Sequence, residues 1–467
     1  MICWPDHTAQ PTGAQRLLPV LLALLLSIGW PTPARAAAPI DAAQLINRAI
    51  DLIESGDYPL ARTYLAPALI HPRLRSDARA QAYYLRGYSY QAEHLYVSAR
   101  KDYYRALEFD ANNGSAQAAL AGLYLYGEGT PRDAALGVTL LQSALDNGQD
   151  GAVFHLGYAY LNGTGVEQDI AQGRSLLEQA AKAGDSNAMT HLGASYRKDF
   201  TDAPDPSQAA AWYDQAIAAG NTGAMVAKSY MLRGAELGEP DPAAARALIE
   251  QAAASGNANA RISLSHLYLT GEGVAEDPGK AYALLAAGAQ APSAVPELHF
   301  RLGYLQQYGL GTDIDLAAAM ASYRRAASSG VSGAMSRLAH LLMARSDDQS
   351  QSQAGYWLSR AAHSDSADAY NEYAWFLATT PVAGLRDGDL AVAQALKAVA
   401  QEQNANYMDT LAAAYAEAGA FTQAVATQKK ALQLASEQQP DIVPDLQTHL
   451  AAYESGTPWR EPALTPP

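Results

Sequence analysis

The sequence has a single cysteine and fewer basic than acidic residues, and both shortages exclude classes of protein. Because Cys3 is the one cysteine among 467 residues, no disulfide can form within the chain and a disulfide-stapled scaffold is excluded. The 32 lysines and arginines face 47 aspartates and glutamates, and the resulting net charge of −15 argues against nucleic acid and anionic membrane surfaces as partners. A hydrophobic content of 49% excludes a disordered chain.

Residues 1–36 have the pattern of a secretory signal peptide. The apolar run from Leu17 to Trp30 is shorter than the roughly 20 residues that a membrane-spanning helix needs. Small residues at Ala34 and Ala36 predict cleavage before Ala37. We therefore expect an exported chain, soluble and periplasmic in a Gram-negative-type bacterium, with no membrane span after cleavage. The alternative is a buried N-terminal helix or an anchor.

A unit of 36 residues recurs through the middle of the chain. Its opening alanines are spaced by 36 residues: Ala116, Ala152, Ala188, Ala224 and Ala260. The series of opening positions then continues through Leu298, Ala334 and Ala369. A leucine follows four residues after most of these positions: Leu120, Leu156, Leu192, Leu264, Leu302 and Leu338. A tyrosine follows after eight: Tyr124, Tyr160, Tyr196 and Tyr268. These spacings put the side chains on one stripe of a helix and predict its buried side.

Turn and cap signals predict a second helix in each unit. Gly-x-Gly turns begin at Gly127, Gly163, Gly271 and Gly309, where positive φ angles end the first helix. An aspartate then lies 17 residues after six of the opening positions, as an N-cap: Asp133, Asp169, Asp205, Asp241, Asp277 and Asp315. The turns at 228–238 and at the polar loop 344–353 lack the glycine pattern, and we expect both to be irregular.

The motif Ala152-x-x-x-Leu156-Gly157-x-x-Tyr160-x-x-Gly163-x-Gly165, followed by Asp169, closely resembles the Sel1-like repeat, a relative of the tetratricopeptide repeat (TPR). Seven such units fill residues 116–368. The resemblance implies an all-α fold, a right-handed α-α solenoid of about eleven stacked helical hairpins. Residues 37–115 and 369–456 each resemble two TPR-like repeats, and the proline-rich segment 457–467 predicts a flexible tail.

Three residue sets could carry chemistry, and each has a more ordinary interpretation. Ser195 and Lys198 match the Ser-x-x-Lys pair of penicillin-recognising enzymes, but the Lys-Thr-Gly motif is absent and a chance match is favoured. His155 and His191 share one repeat offset, which favours ordinary helix residues over a zinc site. Asp199, Asp202 and Asp205 lack the ligand order of a calcium loop and are expected to be solvated. The sequence predicts no enzyme, metal or cofactor.

The chain contains 27 tyrosines, most of them expected to be consumed by repeat packing. Others are candidates for a surface: Tyr126, Tyr213, Tyr308, Tyr323 and Tyr356. No single residue is assigned to partner binding at this level.

A stack of hairpins without a catalytic constellation predicts a non-enzymatic periplasmic scaffold that binds protein partners. The acidic charge favours partners with basic patches. Two alternatives stay open. The layout is similar to a Sel1-like scaffold of alginate export, which suggests an exopolysaccharide secretion complex, although Cys3 precedes the apolar run and cannot be a lipoprotein cysteine. The other is an envelope hydrolase or β-lactam-binding protein acting through Ser195 and Lys198.

Overall fold

The computed structural model describes residues 41–461, apart from 199, 202, 292, 293 and 346. All regular structure within this part of the chain is helical, with 23 α-helices and three short 3₁₀ turns. None of these helices combines the length and the apolar character that a membrane span requires. The signal-peptide prediction for residues 1–36 lies outside the described residues.

The described residues form two compact units, 41–255 and 256–461. Unit 1 contains twelve helices: α1 Ala42–Glu54, α2 Tyr58–Leu69, α3 Ser76–Gln91, α4 Tyr96–Phe109, α5 Gly114–Tyr126, α6 Ala134–Asp146, α7 Ala152–Asn162, α8 Ile170–Lys182, α9 Ser186–Ser195, α10 Pro206–Ala218, α11 Thr222–Arg233 and α12 Pro242–Ala254. Unit 2 contains eleven among its described residues: α13 Ala258–Thr270, α14 Pro278–Ala289, α15 Pro296–Tyr308, α16 Leu316–Ser328, α17 Ser332–Met343, α18 Asp348–Ala361, α19 Ala367–Thr379, α20 Gly388–Gln401, α21 Ala405–Glu417, α22 Phe421–Gln438 and α23 Val443–Glu454.

Consecutive helices pack as hairpins, each stacked on the next within its unit. We call the odd-numbered first helix of each hairpin helix A and the even-numbered second one helix B. The described part of the chain thus holds eleven hairpins followed by the single helix α23. The predicted all-α stack of helical hairpins is confirmed.

The predicted repeat landmarks lie in the core. The opening alanines are fully buried, as Ala152 and Ala188 illustrate with no exposed surface. Leu120, Leu156 and Leu192 are buried on the same stripe. The tyrosines at the eighth position, such as Tyr160, are half-buried and lie at the edge of the core. Tight packing along small side chains lets successive hairpins approach closely.

All six predicted aspartates cap the start of a helix B. Each carboxylate accepts a hydrogen bond from the backbone N–H three residues later, as Asp169 does from Gln172 at 2.9 Å and Asp241 from Ala244 at 2.8 Å. A seventh cap, Asp347, was not predicted and accepts from Ser350 at 2.8 Å. Asp347 lies four residues earlier in its repeat than the six predicted caps, so α18 begins at Asp348. The prediction of an irregular polar loop at 344–353 was therefore wrong from Asp348 onward.

The Gly-x-Gly turns have the predicted left-handed backbone and also bring repeats together. Gly163 and Gly165 have φ angles of 65° and 76°. A Cβ on Gly165 would lie 2.2 Å from the carbonyl oxygen of Ala134, at the start of helix B in the preceding repeat. The corresponding distance from Gly311 to the Pro278 oxygen is 1.9 Å. The expected irregular turn at 228–238 contains Ala235, which has a φ of 57° without being glycine.

Residues 457–461 fold back on unit 2, although the sequence predicts a tail from Thr457. The indole N–H of Trp375 donates to the Glu461 carboxylate at 3.1 Å, and the Arg460 guanidinium donates to the Ala378 carbonyl at 3.1 Å. The Trp459 ring lies 4.5 Å from the buried His449 ring. These contacts close the last hairpin; residues 462–467 lie outside the described part.

Candidate functional site

The side chains of the Ser-x-x-Lys match are not arranged as a nucleophile and base. Ser195 is fully buried at the end of α9, where its hydroxyl donates to the Leu192 carbonyl at 2.7 Å. The same hydroxyl oxygen accepts from the Arg174 guanidinium at 3.0 Å. Lys198 is exposed beyond the helix end. Ser195 therefore serves the packing of α8 against α9.

His155 and His191 belong to an aromatic cluster on helices α7 and α9. The His191 ring lies 4.9 Å from the Tyr158 ring and 5.6 Å from that of Phe154. Burial lowers the pKa of His155 to about 4 and lowers that of His191, while Asp185 acts in the opposite direction on both. Among the described residues no group of three histidines, cysteines or acidic residues could hold a metal ion.

The calcium hypothesis can be examined only at Asp205. Asp199 and Asp202 lie outside the described residues. The Asp205 carboxylate caps α10 by accepting from the Gln208 N–H at 3.0 Å, and this hydrogen bond lowers its pKa. Its oxygens are engaged in capping, as the repeat pattern predicts.

Exposed tyrosines recur at two positions of helix A, and this face is the candidate functional site. Counted from the opening position, they lie at offsets six and ten: Tyr126, Tyr158, Tyr230, Tyr304 and Tyr308. Their exposed fractions range from 36% for Tyr158 to 53% for Tyr126. Offsets six and ten differ by about one helical turn, so these rings lie on one face of helix A. We call it the helix-A face.

In unit 1 the helix-A face carries an aromatic cluster. Tyr158 joins Phe154 and the two histidines, with ring centroids of Tyr158 and Phe154 at 6.4 Å. Burial raises the pKa of Tyr126, with smaller contributions from Tyr158 and Glu128. These rings can offer flat apolar area and hydroxyl groups to a partner.

In unit 2 the helix-A face carries the guanidinium of Arg337 beside two tyrosine rings. The ring centroids of Tyr304 and Tyr308, one turn apart on α15, are 4.7 Å from each other. The Arg337 guanidinium on α17 lies 5.7 Å and 5.8 Å from them and donates to the Tyr308 hydroxyl at 2.7 Å. We call these three residues the Arg337 cluster. Sequence reasoning missed Arg337, although it has the same offset of three as His155 and His191.

Two of the tyrosines expected at the surface are buried. Tyr213 and Tyr323, on helix B, are 1% and 0% exposed, so those predictions were wrong. Each ring packs over a glycine of helix A: a Cβ on Gly193 would lie 2.7 Å from the Tyr213 ring, and one on Gly303 would lie 2.8 Å from the Tyr323 ring. Tyr126, Tyr308 and Tyr356 are exposed as expected.

Unit 2 also contains a shallow pocket of about 460 Å³ near the start of α17. Its lining contains two basic side chains, Arg360 and His363, and no carboxylate. Arg360 thus gives this pocket a cationic side chain.

Comparisons with known proteins found several solved structures that match this chain. The crystal structure of a protective antigen present in uropathogenic Escherichia coli strains displaying an SLR fold is 23% identical, covering 90% of this chain and 84% of that chain with a TM-score of 0.46. A Sel1 repeat protein from Oxalobacter formigenes is 23% identical, covering 64% of this chain and 86% of that chain with a TM-score of 0.46. Yeast Tom70 is 12% identical, covering 89% of this chain and 96% of that chain with a TM-score of 0.32.

No match was found among curated proteins. The model of the Sel1 repeat matches seven segments: residues 114–149, 151–185, 186–221, 224–257, 258–293, 296–331 and 332–366. Together these segments make up more than half of the sequence, and their number equals the seven units predicted, so the chain belongs to the Sel1 repeat family.

Proposed function

We propose that this protein is a non-enzymatic scaffold of the bacterial periplasm that binds protein partners through the helix-A face. The observation that carries the proposal is the recurrence of exposed tyrosines at offsets six and ten in both units. Stacked hairpins of this kind are typical of protein-interaction scaffolds. Tyrosine is enriched at such interfaces because its ring is rigid and apolar and its hydroxyl forms hydrogen bonds.

The periplasmic part of the proposal is supported by the sequence of residues 1–36. Their apolar run and the small residues before Ala37 are typical of a cleaved signal peptide. Fractionation of the producing cell tests this part. We expect the protein in the periplasmic fraction with its N-terminus at Ala37; a cytoplasmic protein with an intact leader would contradict it.

Site-specific photocrosslinking tests the helix-A face. A photoreactive phenylalanine replaces Tyr158, which is 36% exposed, in one variant and Tyr304, which is 39% exposed, in another. Tyr356 of α18, which is 54% exposed, provides a more exposed control on helix B. We expect defined protein adducts from positions 158 and 304 and few from 356. Absence of adducts from both helix-A positions, or equal adducts from all three, would refute a helix-A binding face.

The acidic charge of the whole chain supports partners that carry basic patches on their surfaces. With a net charge of −15, attraction to such patches acts over roughly 8 Å at physiological ionic strength. Complex formation should therefore weaken as salt concentration rises. An unchanged affinity between low and high salt would remove this electrostatic contribution.

A narrower form of the proposal assigns the scaffold to an exopolysaccharide secretion complex. Exposed tyrosines such as Tyr126 and Tyr230 are also suited to contact sugar polymers. Deletion of the coding sequence should then reduce the secreted polymer. Unchanged polymer secretion would leave the general scaffold and remove this narrower role.

The envelope hydrolase is the candidate from another class, and the environment of Ser195 speaks against it. Its hydroxyl is buried and bonded to Leu192 and Arg174. Labelling with a fluorescent penicillin tests the alternative directly. We expect no covalent label on the wild type; a label abolished by Ser195→Ala would overturn the non-enzymatic proposal.

A further inference from the structure

The helices around the Arg337 cluster carry a local excess of positive charge in an acidic chain. Helices α15 to α18 contain two acidic residues, Glu297 and Asp348. They contain five arginines: Arg301, Arg324, Arg325, Arg337 and Arg360. Glu297 is already paired with Arg301 at 2.6 Å. Over the two repeats, residues 296–366, six arginines balance six acidic residues, so this part of the chain is neutral whereas the whole chain has a net charge of −15.

Arg337 is half-buried and has no acidic partner among the described residues. Arg86, Arg197 and Arg386 each pair with a carboxylate, at 2.6, 2.6 and 3.1 Å. A guanidinium has five N–H donors, and the hydrogen bonds within the described residues use one of those on Arg337, toward the Tyr308 hydroxyl. The cluster thus holds a positioned, partly desolvated cation whose fork is not occupied by a carboxylate of the described residues.

The geometry of the cluster favours a carboxylate over a sugar ring. A guanidinium fork binds a carboxylate with two parallel hydrogen bonds, and a neighbouring tyrosine hydroxyl can add another. Stacking on a sugar requires an open ring face, but the guanidinium lies within 6 Å of both ring centroids and the two rings are tilted by 50° to each other. The exposed ring edges remain for apolar side chains next to the carboxylate.

We propose, building on the scaffold function above, that the Arg337 cluster binds an acidic segment of a protein partner. An aspartate or glutamate carboxylate of that segment occupies the Arg337 fork, and an adjacent apolar side chain packs on Tyr304 and Tyr308. The chain therefore presents a basic site for partners within an acidic surface.

Selection from a random dodecapeptide library tests the proposal with the full-length protein. Three forms are used: wild type, Arg337→Gln, and Arg324→Gln as a control with the same charge change at an exposed position on α16. We expect wild type and Arg324→Gln to enrich peptides that combine aspartate or glutamate with an apolar residue. Arg337→Gln should lose this enrichment.

The best selected peptide then gives affinities by fluorescence anisotropy. Arg337→Gln should weaken binding at least about tenfold, as should replacement of the peptide's acids by their amides. Arg337→Lys keeps the charge but not the fork, so we expect an intermediate loss. Circular dichroism and thermal unfolding establish that each variant is folded before its affinity is measured.

Several results would overturn the proposal. These are enrichment of neutral or basic peptides, an Arg337→Gln affinity equal to that of Arg324→Gln, and binding of oligogalacturonate at Arg337 in place of any peptide. Photocrosslinking from position 158 in unit 1 distinguishes a failure of the acidic-segment proposal from a failure of the scaffold proposal. Protein adducts there with no Arg337-dependent peptide binding would leave the scaffold standing and remove only the acidic-segment site.

Discussion

At the scale of single residues, the two glycines of a Gly-x-Gly turn do different jobs. The first, such as Gly163, ends helix A in the left-handed conformation. The second, such as Gly165, also has a positive φ, and its missing side chain leaves room for the backbone of the preceding repeat. The need for a positive φ can be predicted from the sequence, because a glycine follows a segment with helical periodicity. The close approach of the glycine to the preceding repeat cannot be predicted in this way, because it depends on how neighbouring hairpins dock.

Two glycine variants separate these contributions. Gly165→Ala should destabilise by about 3 kcal/mol or more, since a Cβ would lie 2.2 Å from the Ala134 oxygen in addition to the strain at a φ of 76°. Gly184→Ala has a φ of 95° but no heavy atom within 4 Å of its Cβ, so about 1 kcal/mol is expected. Urea unfolding of both variants measures the difference. Equal destabilisation would mean that the inter-repeat contact is not tight.

His155 makes the stability of unit 1 depend on pH. Its folded pKa of about 4 lies below the usual 6.5 because burial disfavours the charged ring. Between these values the unfolded chain binds a proton that the folded chain does not. The stabilisation is therefore complete above pH 6.5 and decreases as the pH falls toward 4.

A histidine variant isolates this contribution. Between pH 7 and pH 4.5, wild type should lose about 2 kcal/mol more stability than His155→Gln, a figure that allows for partial contact of the ring with water. His340→Gln, at an exposed histidine of unit 2, should follow the wild type. Unfolding free energies measured across this range provide the check, and parallel curves for wild type and His155→Gln would disprove the assignment.

At the scale of helices and hairpins, most of the architecture follows from the sequence. Caps such as Asp133 and Asp315 and end glycines such as Gly148 define helix boundaries through local backbone chemistry, so they can be recognised without knowing the fold. The buried stripe follows from helical periodicity. Predictions from local chemistry failed where spacing changed, as at Asp347, which caps α18 after a shorter turn.

The candidate site was less predictable because exposure depends on the facing helix. Tyr213 and Tyr356 both lie on a helix B, yet Tyr213 is buried over Gly193 and Tyr356 is exposed. The Arg337 cluster likewise joins α15 to α17, and its hydrogen-bonded residues Tyr308 and Arg337 are 29 positions apart in the sequence. Such pairings across repeats are set by docking between hairpins rather than by local sequence.

The Gly193–Tyr213 pair offers a test of hairpin packing. Gly193→Ala should destabilise by about 2 kcal/mol, because the added methyl would lie 2.7 Å from the Tyr213 ring. In a Tyr213→Leu background the same change should become neutral or slightly stabilising, since alanine favours a helix over glycine by about 1 kcal/mol. A double-mutant cycle by chemical denaturation measures the coupling. Additive effects would show that the ring does not confine helix A.

At the scale of the whole chain, a stack of repeats exposes an apolar face at its end unless something covers it. In unit 2 the last hairpin is covered by α23 and by residues 457–461. Beneath them Asp409 accepts from the Gln428 amide at 2.6 Å and lies 2.9 Å from the His449 ring nitrogen. All three side chains are buried. This polar network requires shielding from water on its outer side.

Truncation tests whether the terminal segment provides that shielding. A chain ending at Gly456 loses the Trp459 ring, the hydrogen bonds of Arg460, and the Glu461 acceptor of Trp375, whereas a control chain ending at Glu461 keeps them. We expect the shorter chain to lose about 2 to 3 kcal/mol, concentrated in α19 to α23. Hydrogen exchange should show faster opening of these helices while α15 to α18 remain protected, because stability in repeat proteins is transmitted mainly between neighbours. Equal protection of α19 to α23 in the two truncated chains would show that α23 alone closes the stack.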